Sequence, residues 1–184
     1  MINSRDLSLI IVFAVLGFVF MMLIGQVPNL ITGIPGISYI FTIVYSILQT
    51  VSWLMYEGRR WRIFAQGLLL ALLALLLIPP WTLPVALATI INMFIVDLIF
   101  NSLYRFFNKE RLNWLSIFVQ VYYWTTHSLW IVFVSFLFLS PLEEVLEKWF
   151  IPIMSVMLPI MIIEAIAGGY LGYQIYRRVK KVQN

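Results

Sequence analysis

The sequence of 184 residues contains no cysteine and only one histidine, His127. Without cysteine the chain can form no disulfide, thiolate metal site or lipidated cysteine. A single histidine cannot build the multi-histidine centre that copper or iron chemistry requires in a membrane subunit. We therefore expect no metal and no other cofactor.

Sequence signatures of enzymes are also missing. The chain has no H-E-x-x-H zinc motif, no G-x-S-x-G nucleophile turn, no glycine loop that would cradle a phosphate and no pair of aspartates at helical spacing. We therefore predict no catalytic residue and expect that the protein is not an enzyme.

Charged residues are scarce, at 11% of the chain, whereas hydrophobic residues make up 62%. The mean hydropathy of +0.97 is far above that of a soluble domain. Because a helix needs roughly 20 apolar residues to cross a bilayer, a chain of this length supplies about six crossings. We predict an all-α fold, a single polytopic transmembrane domain that covers residues 1–184.

Six apolar runs are separated by short breaks that contain proline, glycine or charged residues, all of which disfavour continuation of a membrane helix. We interpret the runs as spans one to six, at residues 7–25, 37–56, 63–78, 83–106, 114–139 and 151–176. The loops on one side, at 26–36, 79–84 and 140–149, are uncharged or mainly acidic.

Lysine and arginine concentrate in the other connections. They occur at Arg5, in the turn 59–62, at 105–111 and in the tail 177–181, and only Lys148 lies opposite. The positive-inside rule makes this side cytoplasmic, so we predict a multi-pass protein of the cell membrane with both termini in the cytoplasm. Because the cations form small clusters between apolar runs, we expect the lipid bilayer, and not nucleic acid, as a partner.

Two carboxylates lie inside predicted spans, Asp97 in span four and Glu164 in span six. A carboxylate in a membrane costs free energy unless it faces the protein interior, a partner or water. For Asp97 two interpretations stay open, a buried hydrogen-bonding or helix-pairing group and a functional group. For Glu164 the central position in the span slightly favours a functional role. Asp97 and Glu164 lie some turns apart in depth, and two such carboxylates do not establish a proton relay.

Small residues recur along two spans. In span six Gly168 and Gly172 follow Glu164 at four-residue spacing, and in span one Ala14 and Gly17 lie a turn apart. Small residues on one helix face let another helix approach closely. For the glycines this pattern favours packing within the chain over packing against a partner chain, and Asp97 is a further candidate for helix packing.

The most polar stretch inside a span runs from residue 120 to 130 in span five, and includes tyrosine, tryptophan, threonine and histidine. Such a stretch is typical of a pocket wall that stacks a flat ring on aromatic side chains and orients it through a few hydrogen bonds. Packing of the bundle is the alternative interpretation, because aromatic residues make up 16% of the chain.

Several sequence features resemble the substrate-binding S components of energy-coupling factor vitamin transporters. They are Ser-Arg-Asp-Leu at 4–7 before the helix with Ala14 and Gly17, Gly-Ile-Pro-Gly at 33–36, and Glu-Ala-Ile-Ala-Gly-Gly-Tyr-Leu-Gly-Tyr at 164–173 followed by two arginines. The resemblance extends over the whole chain and implies six helices without an ATPase domain.

The resemblance implies that the protein captures a small vitamin-like molecule from outside, in a pocket between spans four to six that outer loops one and three cover. Transport would then require separate coupling and ATPase subunits. Depth and polarity select six candidate ligand-binding residues: Asn92, Tyr123, Thr126, His127, Trp130 and Glu164.

A different class of function also fits the composition. A non-catalytic accessory or structural subunit of a larger membrane complex, of the respiratory or oxidase type, would likewise expose bulky apolar side chains on most helix faces. In such a complex neighbouring chains would satisfy the intramembrane carboxylates. A binding subunit should enclose an outer pocket, whereas an accessory subunit should fill that space with its own side chains.

Overall fold

A computed structural model describes residues 3–26, 31, 42–77, 82–107, 111–138 and 151–183. These residues form six α-helices and no strand, which confirms the predicted all-helical class. The helices are α1 (Ser4–Phe20, continued by a π-helical segment, Met21–Gln26), α2 (Thr42–Met55), α3 (Arg62–Leu77), α4 (Thr82–Tyr104), α5 (Leu112–Phe138) and α6 (Ile151–Gln183).

Three segments of the described residues are long and apolar enough to cross a membrane, Ser4–Ile24, Val85–Tyr104 and Ser155–Val182. Helices α2 and α3 are apolar but shorter. Helix α6 has 33 residues and continues past the predicted end of span six at residue 176. At about 1.5 Å per residue it is roughly 50 Å long, so a hydrocarbon core of about 30 Å cannot cover its whole length.

The six helices pack as a ring in the order α1, α3, α4, α5, α6, α2, and α2 closes the ring against α1. The side chains in the centre are aromatic. The ring of Trp53 lies edge-on to Phe100 at 6.5 Å and to Tyr123 at 5.8 Å, and thereby joins α2, α4 and α5. All three side chains are almost fully buried.

Consecutive helices run in opposite directions, so that six helix ends meet at one end of the bundle. The start of α1 reaches the α2–α3 turn through Asp6 and Arg59, and the end of α6 reaches it through Lys180 and Glu57. The end of α4 packs on the same turn, where Gly58 faces Tyr104. Because lysine and arginine concentrate here, we refer to it as the basic end.

Glycine allows α6 to approach its two neighbours closely. A Cβ atom at Gly168 would lie 2.3 Å from the Cβ of Ser46, and one at Gly172 would lie 2.6 Å from the Cβ of Thr50, both on α2. A Cβ at Gly169 would lie 2.9 Å from the Cα of Ile117 on α5. Real Cβ atoms need more room than this, so the small residues of α6 determine the helix spacing.

The small residues of α1 lie inside the bundle as well. Ala14 is fully buried, and the carbonyl of Gly17 accepts a hydrogen bond of 2.6 Å from the hydroxyl of Tyr45 on α2. The Cα of Gly17 also faces Leu70 on α3. This face of α1 therefore packs against α2 and α3 of the same chain.

Candidate functional site: the polar interior of the bundle

Asp97 binds the first turn of a neighbouring helix. Its carboxylate accepts hydrogen bonds from the backbone N–H groups of Trp61 at 2.9 Å, Ile63 at 3.0 Å and Phe64 at 3.4 Å. The amide of Asn101 donates a fourth at 2.8 Å. The first N–H groups of a helix have no partner within that helix, and its N-terminus carries partial positive charge. Asp97 on α4 is thus the N-terminal cap of α3, supplied from another helix.

The backbone at this cap lies in an unusual conformation. Trp61 has φ +71°, and Glu57 in the same turn has φ +53°. The left-handed region is costly for residues other than glycine and is occupied only where the surroundings hold it. The hydrogen bond from Trp61 to Asp97 is one such restraint.

Glu164 performs the same role for α2. Its Oε2 accepts a hydrogen bond from the hydroxyl of Thr42 and a second, of 3.2 Å, from the N–H of Ile43. Thr42 is buried, whereas Glu164 is half-buried. Glu164 therefore lies at the N-terminus of α2, and its role as a ligand-binding residue stays a prediction.

A buried ion-pair cluster at the basic end was not among the candidate residues from sequence. The fully buried carboxylate of Asp6 pairs with Arg59 at 2.6 Å and with Arg62 at 3.0 Å. Arg59 also donates to the carbonyls of Tyr56 and Met55, which end α2. The only indication in the sequence is the single acidic residue before span one together with a cationic turn.

Asn92, Tyr123 and Thr126 join α4 to α5. The side-chain amide of Asn92 donates to the carbonyl of Tyr123 at 2.8 Å and accepts from the hydroxyl of Thr126 at 2.8 Å. Asn92 is fully buried. These candidate residues therefore lie together, as predicted from their depth, and their polar groups bind one another.

His127 lies one turn after Tyr123, towards the C-terminus of α5. Its ring stacks on Tyr123 with centroids 5.2 Å apart and planes 10° apart, and it meets Trp124 edge-on at 6.1 Å. The indole N–H of Trp124 donates to the hydroxyl of Ser46 on α2 at 2.7 Å. Trp130, the remaining candidate on α5, is half-buried. A ligand-binding role for these residues stays a prediction.

The interior between α2 and α5 also buries polar atoms that have no hydrogen-bond partner among the described residues. Both amide atoms of Gln49 and of Gln120 belong to this set, although the two side chains are 1% and 0% exposed. Three further buried atoms also lack a hydrogen-bond partner among the described residues: the hydroxyl of Thr50, the indole nitrogen of Trp53 and Nδ1 of His127. An unpaired buried polar group costs about 1–3 kcal/mol.

The sequence pattern gives no reason to select Gln49, and Gln120 stands out only as the first residue of the polar stretch in span five. A glutamine inside an apolar run is a weak signal, because its partners lie on other helices. Gln66 illustrates this, since it is equally buried but accepts a hydrogen bond of 3.0 Å from the hydroxyl of Tyr56.

The outer loops one and three, which the resemblance places over a pocket, lie outside the described residues apart from residues 26 and 31. No group of three or more metal-binding side chains occurs among the residues that are described. Comparison with known proteins found no matching family, no matching curated protein and no matching solved structure.

Proposed function

We propose that the chain crosses the cell membrane six times, with the basic end and both termini on the cytoplasmic side. Three long apolar segments and the concentration of arginine and lysine at one end support this arrangement.

We further propose that the protein is the substrate-binding subunit of a vitamin or micronutrient uptake transporter, similar to the S components of energy-coupling factor transporters. It would work with separate coupling and ATPase subunits and would catalyse no reaction itself. The resemblance of the two chain ends and of the first outer loop supports this assignment.

One observation carries the proposal, the unpaired amides of Gln49 and Gln120 in the membrane interior. Lipid offers no hydrogen bonds, so a subunit that served only for packing would gain stability by replacing both with apolar residues. Their retention is explained if rearrangement of α2 and α5 lets a substrate accept and donate the missing hydrogen bonds.

The surroundings also indicate the kind of substrate. Trp53 follows Gln49 by four residues on α2, and Tyr123 follows Gln120 by three on α5, so each ring lies one helical turn from an amide. Trp53 and His127 both contact the ring of Tyr123, and a flat ligand would require such aromatic surfaces. The carboxylates of Asp97 and Glu164 already accept hydrogen bonds at helix N-termini. An uncharged molecule with a planar ring and several hydrogen-bonding groups fits this environment best.

The first test is purification from native membranes in nanodiscs, followed by mass spectrometry of the accompanying proteins and of small molecules released by denaturation. We expect ATPase and coupling subunits, or a stoichiometric planar small molecule. A complex of fixed stoichiometry that contains other membrane subunits and no such molecule would contradict the proposal and favour the accessory subunit.

Matched variants sharpen this test. Gln49→Met combined with Gln120→Met should abolish the co-purified small molecule while raising the free energy of unfolding, by about 1 kcal/mol or more, because unpaired amides are removed. Gln66→Met is the control, since it removes a paired amide and should lower stability without loss of the molecule. Lower stability of the double variant would contradict a functional role for the two amides.

A further inference from the structure

A cavity of about 560 Å³ opens at the basic end, between the end of α4, the start of α5 and the last turns of α6. Its ten described lining residues include three cations, Arg177, Lys180 and Lys181, and no carboxylate. The substrate site proposed above lies elsewhere, between α2, α4 and α5. This cavity therefore requires a separate explanation.

The cations of the cavity differ in their surroundings. The ammonium group of Lys180 lies 2.7 Å from the carboxylate of Glu57 and donates to the hydroxyl of Tyr176 at 3.0 Å. Arg177 and Lys181 are exposed and lie four residues apart, so they share one face of α6. An anion in the cavity would meet two cations that are held close together by the helix.

The start of α5 adds to this positive potential. Leu112 and Asn113, the first residues of α5, line the same cavity. The N-terminus of a helix carries partial positive charge, and phosphate groups bind readily near it. The C-termini of α4 and α6 also lie at this cavity and contribute an opposing potential, so the net positive charge comes from the side chains.

An apolar strip leads away from the cavity along the outside of the bundle. Tyr170, which lines the cavity, is 47% exposed, and Ile166 and Ile163 lie one and two turns further from the basic end, at 44% and 67% exposed. Trp114 and Phe118, in the first two turns of α5, are exposed as well. A charged cavity followed by an apolar strip matches the head and tail of a lipid.

We propose that this cavity is a binding site for an anionic phospholipid of the cytoplasmic leaflet. The phosphate binds between Arg177 and Lys181, with Lys180 behind them, and the acyl chains lie along the strip formed by Tyr170 and Ile166. Basic pockets between membrane helices on the cytoplasmic side recognise anionic head groups in this way. The site would tie α5 and α6 together at the membrane surface.

The test uses the purified, delipidated full-length protein and native mass spectrometry with two lipids of identical acyl chains, phosphatidylglycerol and phosphatidylcholine. We expect one phosphatidylglycerol to bind roughly tenfold to thirtyfold more tightly than phosphatidylcholine, because the choline cation makes phosphatidylcholine net neutral whereas each protein cation near an anionic lipid contributes about 1 kcal/mol. The variant Arg177→Gln with Lys181→Gln should reduce this preference to threefold or less, on the same basis.

The control has the same loss of charge at exposed arginines of the basic end that do not line the cavity, Arg60→Gln with Arg178→Gln. It should retain the preference within about twofold. Equal loss in both double variants would assign the effect to diffuse charge and overturn the proposal. Free glycerol phosphate that competes as strongly as the lipid would likewise overturn it, because the apolar strip would then contribute nothing.

Discussion

Asp97 and Glu164 both lie in segments long and apolar enough to cross a membrane, and each caps the N-terminus of a neighbouring helix, but with a different number of hydrogen bonds. Asp97 is fully buried and accepts four hydrogen bonds, including three from the backbone of residues 61–64. Glu164 is half-buried and receives two from the described residues, from Thr42 and Ile43.

Both caps have a glycine one turn away, which lets the capping and the capped helix approach closely. For Asp97 it is Gly67 on the capped helix, where a Cβ would lie 2.4 Å from the Cγ of Met93. For Glu164 it is Gly168 on the capping helix, where a Cβ would meet Ser46 and the carbonyl oxygen of Ile43. A carboxylate in a membrane span can thus be explained by helix ends alone, without proton transfer.

The largest loss of stability should come from removing Asp97, the cap that accepts four hydrogen bonds. Asp97→Ala leaves the N-terminus of α3 and the amide of Asn101 unpaired, and should lower the free energy of unfolding by about 2–4 kcal/mol. Reversible denaturation in mixed micelles measures this loss. Leu98→Ala, at an exposed neighbouring position, should have little effect, and an equally small effect of Asp97→Ala would contradict the capping role.

Adding a methyl group at Gly168 or Gly67 tests how closely the helices pack beside each of the two caps. Gly168→Ala should lower stability by about 1–3 kcal/mol, because the new methyl group meets backbone that cannot move aside. A Cβ at Gly67 would lie 2.4 Å from the Cγ and 2.5 Å from the Cβ of Met93, so Gly67→Ala should also lower stability. Because alanine keeps the Cβ, the added substitution Met93→Ala should not restore the loss. If stability is unchanged or higher in Gly168→Ala, the close contact of α6 with α2 is wrong.

Removal of the weaker cap should have a smaller effect than removal of Asp97. Glu164→Ala should cost about 0.5–2 kcal/mol, the usual range for loss of an N-cap. Glu164→Gln keeps an acceptor for Thr42 and Ile43 and should lose less, as measured by thermal denaturation in the same micelles. A loss from Glu164→Ala as large as that from Asp97→Ala would remove the distinction between the two caps.

The smallest effect concerns the ion pair that links the turn beside Asp97 to α6. The hydrogen bond from Lys180 lowers the pKa of Glu57 below its usual value of 4.5. The pair should therefore stabilise the fold above that value and lose its contribution as the pH falls through the lowered pKa. Both groups are partly exposed, so the contribution is below about 1 kcal/mol.

Glu57→Gln provides the measurement for this pair. The variant should be slightly less stable than the wild type at about pH 7, and the difference should shrink as the pH falls through the lowered pKa of Glu57, where the folded wild type takes up the proton. High salt should reduce the difference at neutral pH as well. A difference that persists in acid would show that the contact is not ionic.

Much of the helical architecture could be predicted from the sequence, because membrane helices depend on the length of apolar runs and on the proline, glycine and charge between them. The run at 63–78 corresponds to α3 at Arg62–Leu77, and the run at 83–106 to α4 at Thr82–Tyr104. The extension of α6 to Gln183 was not predicted, because the predicted span ends where the apolar run ends. A helix can continue beyond that point through charged residues.

The roles of single polar residues could not be predicted in the same way. Depth and polarity grouped Asn92, Tyr123, Thr126 and His127 correctly in space, because a turn of helix separates neighbours on one face. The same reasoning selected Glu164 but could not show that its carboxylate binds the start of α2. It also gave no reason to single out Gln49 over the paired Gln66.

The sequence by itself determined the helical class and which segments are apolar, since both follow from local composition. Only the tertiary structure decided that Asp97 and Glu164 cap other helices and that the glycines of α6 pack within the chain. The physical reason is that hydrogen-bond partners and close contacts depend on the register between helices. Residues such as Thr42 and Glu164 are far apart in the chain, and only packing brings them together.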